Sequence, residues 1–281
     1  MAKEVVKKEE GGLPAHLAQY RKARIGNVDV TDQVIPRIKL LQAISPELQE
    51  FNDAKAGTFW HTVANESIGD KLLAIPIVIR KSYILWAPRN DDRQILARAM
   101  DGIHWDVPNA EFTVKPKGSP ASVTYHTKGS VAESGLDQFG SSIPGDPQSV
   151  PAASLTYNML WYLPEYPHLS PSVIINTRSG VKPMQQLLSK IDSKEHVAAH
   201  YLQMYTINIV QQKGAEGPFY NYTYTAAGFA DEELAKITSA LFERYEQSAW
   251  VASDESNDTA EDGRGSGNGR GQPNEKMASK F

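Results

Sequence analysis

Three tyrosines alternate with polar residues in one short segment, where Tyr220, Tyr222 and Tyr224 are spaced two apart. Side chains alternate between the two faces of a β-strand, so a strand here would place the three rings on one face. An exposed row of rings can stack unpaired bases, with about 1–3 kcal/mol for each contact. The alternative is that this face is buried against a helix and that each hydroxyl reaches the rim of the core. Both interpretations stay open at this point.

A second segment mixes aromatic rings with cations. Proteins that bind single strands need such a mixture, because the cations follow the phosphates while the rings take the bases. We therefore assign as candidate nucleic-acid contacts Arg80, Lys81, Tyr83, Trp86, Arg89, Arg93 and Arg98. The acids Asp91 and Asp92 interrupt this cluster, and Trp86 could equally belong to the core. Three lysines near turns could extend a basic groove or be ordinary surface charges, namely Lys115, Lys117 and Lys128.

Signatures of catalysis are incomplete. His196 and His200 are four apart and could face a metal from one helix, but the HExxH pattern would need a glutamate where Val197 stands. Asp192 and Lys194 have the D-x-K spacing of metal-dependent nucleases, without a preceding Pro-Asp on a strand. No phosphate-binding loop, dinucleotide fingerprint or nucleophile elbow is present. We expect a protein that is not an enzyme and requires no cofactor or metal, and we keep a metal-dependent nuclease as an alternative.

The segments that must position these residues are mostly short, rich in β-branched and aromatic residues, and bounded by turn residues, which is typical of strands. They are residues 72–79, 83–87, 95–100, 111–115, 121–126, 155–163, 172–176, 204–210 and 219–225. Apolar residues recur at helical spacing only in residues 182–191 and 231–247. We expect a β-rich α+β fold, a barrel or sandwich with two packed helices. An elaborated oligonucleotide-binding (OB-like) barrel is one such form.

Composition divides the chain into three parts. Residues 1–33 are charged and weakly patterned, which indicates a flexible arm. Residues 34–250 carry the strand and helix patterns of a globular domain. Residues 251–281 begin with an acidic patch, continue through a Gly/Arg-rich stretch and contain too little apolar surface to offset the entropy of ordering. We therefore predict a disordered tail.

Charge and cysteine content narrow the classes of function. The formal net charge is −4, so nucleic-acid contact requires a local basic patch rather than a basic protein. The absence of cysteine excludes disulfide scaffolds, thiolate metal sites and cysteine nucleophiles. The first residues include no apolar stretch, and the apolar run at 72–79 is too short to cross a bilayer. We expect a cytoplasmic protein that does not contact a membrane.

Short segments resemble a group of bacteriophage early proteins of similar length. They are residues 36–42 (PRIKLLQ), 45–47 (SPE) and 171–174 (PSVI), the last leading to Arg178 and Ser179. Some members of that group are assigned as single-stranded DNA-binding or recombination-associated proteins. The resemblance implies a sheet-based nucleic-acid binder acting in phage replication or recombination, in the cytoplasm of the host cell. It carries no known catalytic residue.

The sequence therefore predicts binding of single-stranded DNA, or RNA, without base specificity. The acidic tail would recruit replication or recombination proteins, and a homo-oligomer stays open. The first alternative is a structural or host-interaction phage protein, in which the aromatic strands are core and the tail is a spacer. The second is the metal-dependent nuclease, which would use Asp192 and Lys194.

Overall fold

The computed structural model describes residues 35–88, 95–116, 119, 121–193, 198–214 and 217–247. The expected arm and tail lie outside these residues. The strands are β1 (Ile38–Leu40), β2 (Phe59–His61), β3 (Glu66–Ser67), β4 (Lys71–Trp86), β5 (Ile95–Ala99), β6 (Glu111–Val114), β7 (Val123–His126), β8 (Ala153–Tyr162), β9 (Ser172–Thr177), β10 (Gln203–Gly214) and β11 (Gly217–Phe229). The helices are α1 (Glu47–Glu50), α2 (Val131–Ser134), α3 (Val181–Ile191) and α4 (Glu232–Tyr245). The prediction of a β-rich chain with few helices is confirmed.

Strand β4 is the longest strand and organises the fold. It pairs antiparallel with β8 along one edge, while its other edge pairs first with β10 and then with β5. Proline cannot donate to a ladder, and Pro76 lies where the register of β4 against β8 shifts. The two strands predicted at 72–79 and 83–87 are one strand, and no Gly, Pro or Asn separates them.

The sheets in the described part of the chain are open. The six-stranded sheet has the order β11-β10-β4-β8-β9, with β5 on the far half of β4, and a small sheet has the order β1-β2-β3. Of the predicted barrel or sandwich, a closed barrel does not form among the described residues, and the OB-like form is not confirmed. The two end strands, β9 and β11, do not pair with each other, and each bonds to another part of the chain. The Val173 N–H of β9 donates to Pro36 O at 2.8 Å, and Lys190 Nζ of α3 donates to Tyr224 O of β11 at 3.0 Å.

Helices cover both faces of this sheet, and both are the helices that periodicity predicts. On one face α4 packs Leu234, Leu241 and Phe242 against β4, β8 and β9. Its N-cap is Asp231, whose carboxylate accepts from Leu234 N at 2.9 Å. On the other face α3 and the small sheet enclose the main core. Among the described residues, no helix is long and apolar enough to span a membrane.

A second core forms where β4 continues past β10. It is built from the end of β4, from β5, from the hairpin β6–β7 and from α2. The hairpin pairs from Glu111 opposite His126 to Val114 opposite Val123. The short helix α2 is fixed by its N-cap Ser130, whose Oγ accepts from Glu133 N at 3.2 Å. The residues after α2 form a loop that folds back on itself, with Gly140 N donating to Ser149 O at 2.7 Å. This loop forms one side of the candidate site.

Candidate nucleic-acid interface

The alternating tyrosines share one face of β11, as predicted, but that face points into the core. Tyr222 is 9% exposed and stacks on Phe59, with ring centroids 6.1 Å apart. Tyr224 is 5% exposed and stacks on Trp161 at 5.9 Å. The stacking interpretation is therefore wrong for these two rings, because the small sheet and α3 cover the face that carries them.

The burial of Tyr224 is accompanied by a specific polar contact. Its hydroxyl donates to Asn176 Oδ1 at 3.0 Å. Desolvation raises the pKa of Tyr224 well above its ordinary value. The third tyrosine, Tyr220, is half-buried, and its ring lies against Gly57. None of the three tyrosines is among the residues that line the groove described below.

Two predicted cations on β4 are engaged within the fold. Arg80 Nη2 donates to the carbonyl oxygens of Tyr245 at 3.4 Å and Glu246 at 3.3 Å, at the end of α4. A cation there complements the negative end of the helix dipole. Lys81 Nζ lies 5.0 Å from the ring centroid of Tyr83, and contact with Tyr83 raises the pKa of Lys81. Tyr83 itself is buried in the second core.

The remaining predicted cations fall near the β4–β5 connection. Arg98 on β5 pairs with Ile84, and its backbone N–H donates to Asp106 Oδ1 at 2.7 Å. Arg89 and Arg93 lie outside the described residues, between Pro88 and Ile95. The structure thus divides the described members of this cluster between the two faces of β4 and the neighbouring strand β5.

Trp86 is the member of this cluster that reaches an open site. A β-bulge shifts the pairing so that Leu85 opposes Ala97 while Trp86 opposes Ile95. The extra residue, Leu96, lies on β5, so the bulge interrupts the alternation of side chains on that strand. The indole Nε1 of Trp86 is buried and makes no hydrogen bond to the described residues.

Trp86 lines a groove of about 970 Å³ that runs between the second core and the loop after α2. Most of the lining is apolar, and it includes Tyr125, Phe139, Val150 and Leu155. Phe139 is 75% exposed and Val150 is 64% exposed, so the groove displays uncovered apolar surface. Isolated exposed hydrophobic residues are common, but several that line one concave surface indicate a binding site.

The described lining of this groove contains one cation. Arg178, which is exposed, lines it and has a left-handed backbone with φ of 48°. A residue that is not glycine rarely adopts that conformation, and such strain is found more often at functional sites. Pro88 and Pro116 also line the groove, and in the sequence they directly precede Arg89 and Lys117. Asp146 is the acid that the groove contains.

Of the side chains considered for metal chemistry, the structure describes His200 and Asp192. His200 Nε2 lies 2.8 Å from Ile77 O, and its ring packs edge-on against Tyr201 and Phe242. Asp192 follows the end of α3, and Lys194 and His196 lie outside the described residues. No group of three His, Asp or Glu side chains that could hold a metal is present in the part of the chain that the structure describes. Lys128, with φ of 44°, is exposed away from the groove lining.

Sequence reasoning missed Phe139, Val150 and Arg178 as site residues. Phe139 and Val150 are apolar residues in a segment rich in Pro, Gly and Ser, where little core is expected, and that mismatch is the signal that could have identified them. Arg178 has no local signal, because its place in the groove depends on contacts between distant parts of the chain.

Comparison with known proteins gives one match. A family model described as Pam3 phage gp34-like protein matches residues 7–251. No curated protein and no solved structure matches the chain.

Proposed function

Since the chain belongs to the Pam3 phage gp34-like protein family, we propose that it is a bacteriophage protein that binds single-stranded nucleic acid in the groove lined by Trp86 and Phe139. The observation that carries this proposal is the exposed ring of Phe139 in the same groove as Trp86 and Arg178. Rings supply stacking surfaces for bases, and the arginine supplies a phosphate contact. Every base has a ring face, so binding is independent of sequence.

The groove favours single strands over a duplex. In a duplex both faces of each base are occupied by neighbouring bases, whereas an unpaired base can leave the stack and enter a groove. A volume of about 970 Å³ lies at the upper end of the range for ligand pockets, about 300–1,000 Å³. Arg178 lines this space, where it can contact a phosphate backbone.

A matched pair of phenylalanine variants tests the groove. Phe139 and Phe229 are both exposed, by 75% and 58%, but only Phe139 is among the residues of the groove lining. We expect Phe139→Ala to weaken binding of fluorescently labelled oligo-dT by about 1–3 kcal/mol, the value of one base–ring contact. Phe229→Ala should leave binding unchanged. Equal losses in both variants, or none in either, would remove the groove from the proposal.

Arg178 provides a second test of the same groove. Asparagine tolerates the left-handed conformation, so Arg178→Asn removes the cation without changing the backbone requirement. Loss of one phosphate contact should reduce the slope of log affinity against log salt by about 1. Lys236→Gln, which removes an exposed cation of α4, is the control and should leave the slope unchanged.

A protein contact is the second candidate function, and the exposed Val150 favours it. An aliphatic side chain that is 64% exposed beside Phe139 suits an apolar protein surface better than a base. Under this alternative the chain would be a structural or host-interaction phage protein. Val150→Ser should then weaken association with the partner, and this effect should depend little on salt. Neither the parent chain nor Phe139→Ala should bind oligonucleotides.

A further inference from the structure

A second, smaller pocket lies between β1 and the 3₁₀ turn Arg178–Gly180 that precedes α3. Its volume is about 60 Å³, which suits a few waters or one small oxyanion and is too small for a base. Arg37 and Lys39, which are 9% and 7% exposed, line it from the β1 side. Thr177, Ser179 and Gly180 line it from the side of the turn.

The charges of the pocket favour an anion. Its described lining contains two cations and no carboxylate. Lys39 Nζ is held by Glu47 Oε1 at 2.7 Å, and that glutamate lies outside the lining. Glu47 offsets the charge of Lys39, so Arg37 supplies the net positive charge, which solvent screens less in a partly enclosed space than at an open surface. Arginine also has five N–H donors in a planar fork, so it can bind an oxyanion while it keeps other partners.

Neutral groups complete the set of donors. Thr177 Oγ1 is buried and makes no hydrogen bond to the described residues, and it belongs to the pocket lining. Buried hydroxyls normally have a partner, so this one points to a ligand or a bound water. The adjoining helix α3 has Gly180 as its N-cap, which has no side chain to cap the first turn, and the positive end of the helix dipole therefore adds to the potential.

The walls of the pocket are held in place by bonds to neighbouring strands. Gln42 Nε2 donates to Tyr220 O at 3.0 Å, and Gln42 Oε1 accepts from Tyr220 N at 2.9 Å. Asn221 Nδ2 donates to Ser179 O at 3.0 Å, which fixes the turn. A site whose walls are fixed by such contacts loses little entropy on binding.

We infer that this pocket binds a phosphate group. Donors approach from β1 on one side and from the turn on the other, an arrangement that fits the several oxygens of a tetrahedral oxyanion better than the two of a carboxylate. The phosphate belongs either to a free nucleotide or to the end of a nucleic-acid strand. The site is independent of the groove, although one turn of chain links them: Arg178 lines the groove, and Ser179 lines the pocket.

Titration of the full-length chain with inorganic phosphate tests the site. Calorimetry and melting temperature, each compared with chloride at equal ionic strength, report binding. Ser179 is exposed, so Ser179→Asp should fold normally while placing a carboxylate at the pocket. Repulsion should weaken phosphate binding at least about tenfold. Ser189→Asp makes the same change at an exposed site near the other end of α3 and should keep affinity within about twofold of the parent chain.

Thr177→Val removes the buried hydroxyl while preserving shape, and it should also weaken phosphate binding. Phosphate that acts no differently from chloride overturns the inference, as does a Ser179→Asp chain that binds phosphate like the Ser189→Asp control. The Phe139→Ala variant should bind phosphate normally, so failure of the groove and failure of the pocket are distinguishable.

Two comparisons then identify the source of the phosphate: oligo-dT with and without a 5′-phosphate, and dTMP against thymidine. Tighter binding of the phosphorylated oligonucleotide assigns a strand end, and an effect confined to dTMP assigns a free nucleotide.

Discussion

Truncation of Tyr222 separates a core role from a binding role. The ring is 9% exposed and stacks against Phe59 at 6.1 Å and Tyr224 at 6.4 Å. Replacement of a buried aromatic side chain by alanine costs about 3–5 kcal/mol, since contacts are lost and a cavity remains. For a chain of this length each kcal/mol lowers the melting temperature by about 2–4 °C. Tyr222→Ala should therefore lower it by about 6–20 °C.

Thermal unfolding followed by circular dichroism measures this change. Thr223→Ala is the control, because Thr223 is the exposed neighbour on the opposite face of β11 and should change the melting temperature little. Oligo-dT affinity, measured well below the transition, should be the same in both variants and in the parent chain. A Tyr222→Ala chain with parental stability and an affinity loss of about 1–3 kcal/mol would refute the burial argument and return the tyrosines to the site.

Three further predictions concern stability. Asp231→Ala removes the N-cap bond to Leu234 N and should cost about 1 kcal/mol in urea unfolding, whereas Glu232→Ala next to it should cost less. Burial lowers the pKa of His61 below its ordinary 6.5, so below that pH the unfolded chain takes up a proton that the folded chain does not. Stability should therefore fall as pH drops below about 6.5, and His61→Asn should flatten that slope. Gly57 has φ of 76°, and a Cβ there would lie 2.6 Å from Tyr220 Cε1. Gly57→Ala should thus lower the melting temperature, and Tyr220→Ala in the same chain should recover part of the space but not the backbone strain.

Local pattern predicts the elements of this fold better than their arrangement. Apolar spacing gives both long helices, α3 and α4, because a stripe at helical period must face a core. Alternation likewise places Tyr220, Tyr222 and Tyr224 on one face. It does not say what covers that face, and the cover comes from β2 and α3, far away in sequence. Strand patterns likewise could not decide between a closed barrel and open sheets, since closure depends on which strands meet at the edges.

The candidate groove was only partly predictable. Residue types in 80–98 direct attention to Trp86, but its place in the groove lining depends on segments far away in sequence, which local composition does not show. Arg80 is a residue type that can contact phosphate, but it contacts the end of α4, which lies more than a hundred residues later in the chain. Phe139 and Arg178 reach the groove through long-range contacts that no window of sequence contains.

Binding of labelled oligo-dT to the full-length chain across a salt series tests the central claim most directly. Our account predicts tighter binding of oligo-dT than of duplex of equal length, with log affinity falling linearly as log salt rises, because phosphate neutralisation releases counterions. Equal affinity for duplex, or no binding at low salt, would contradict it.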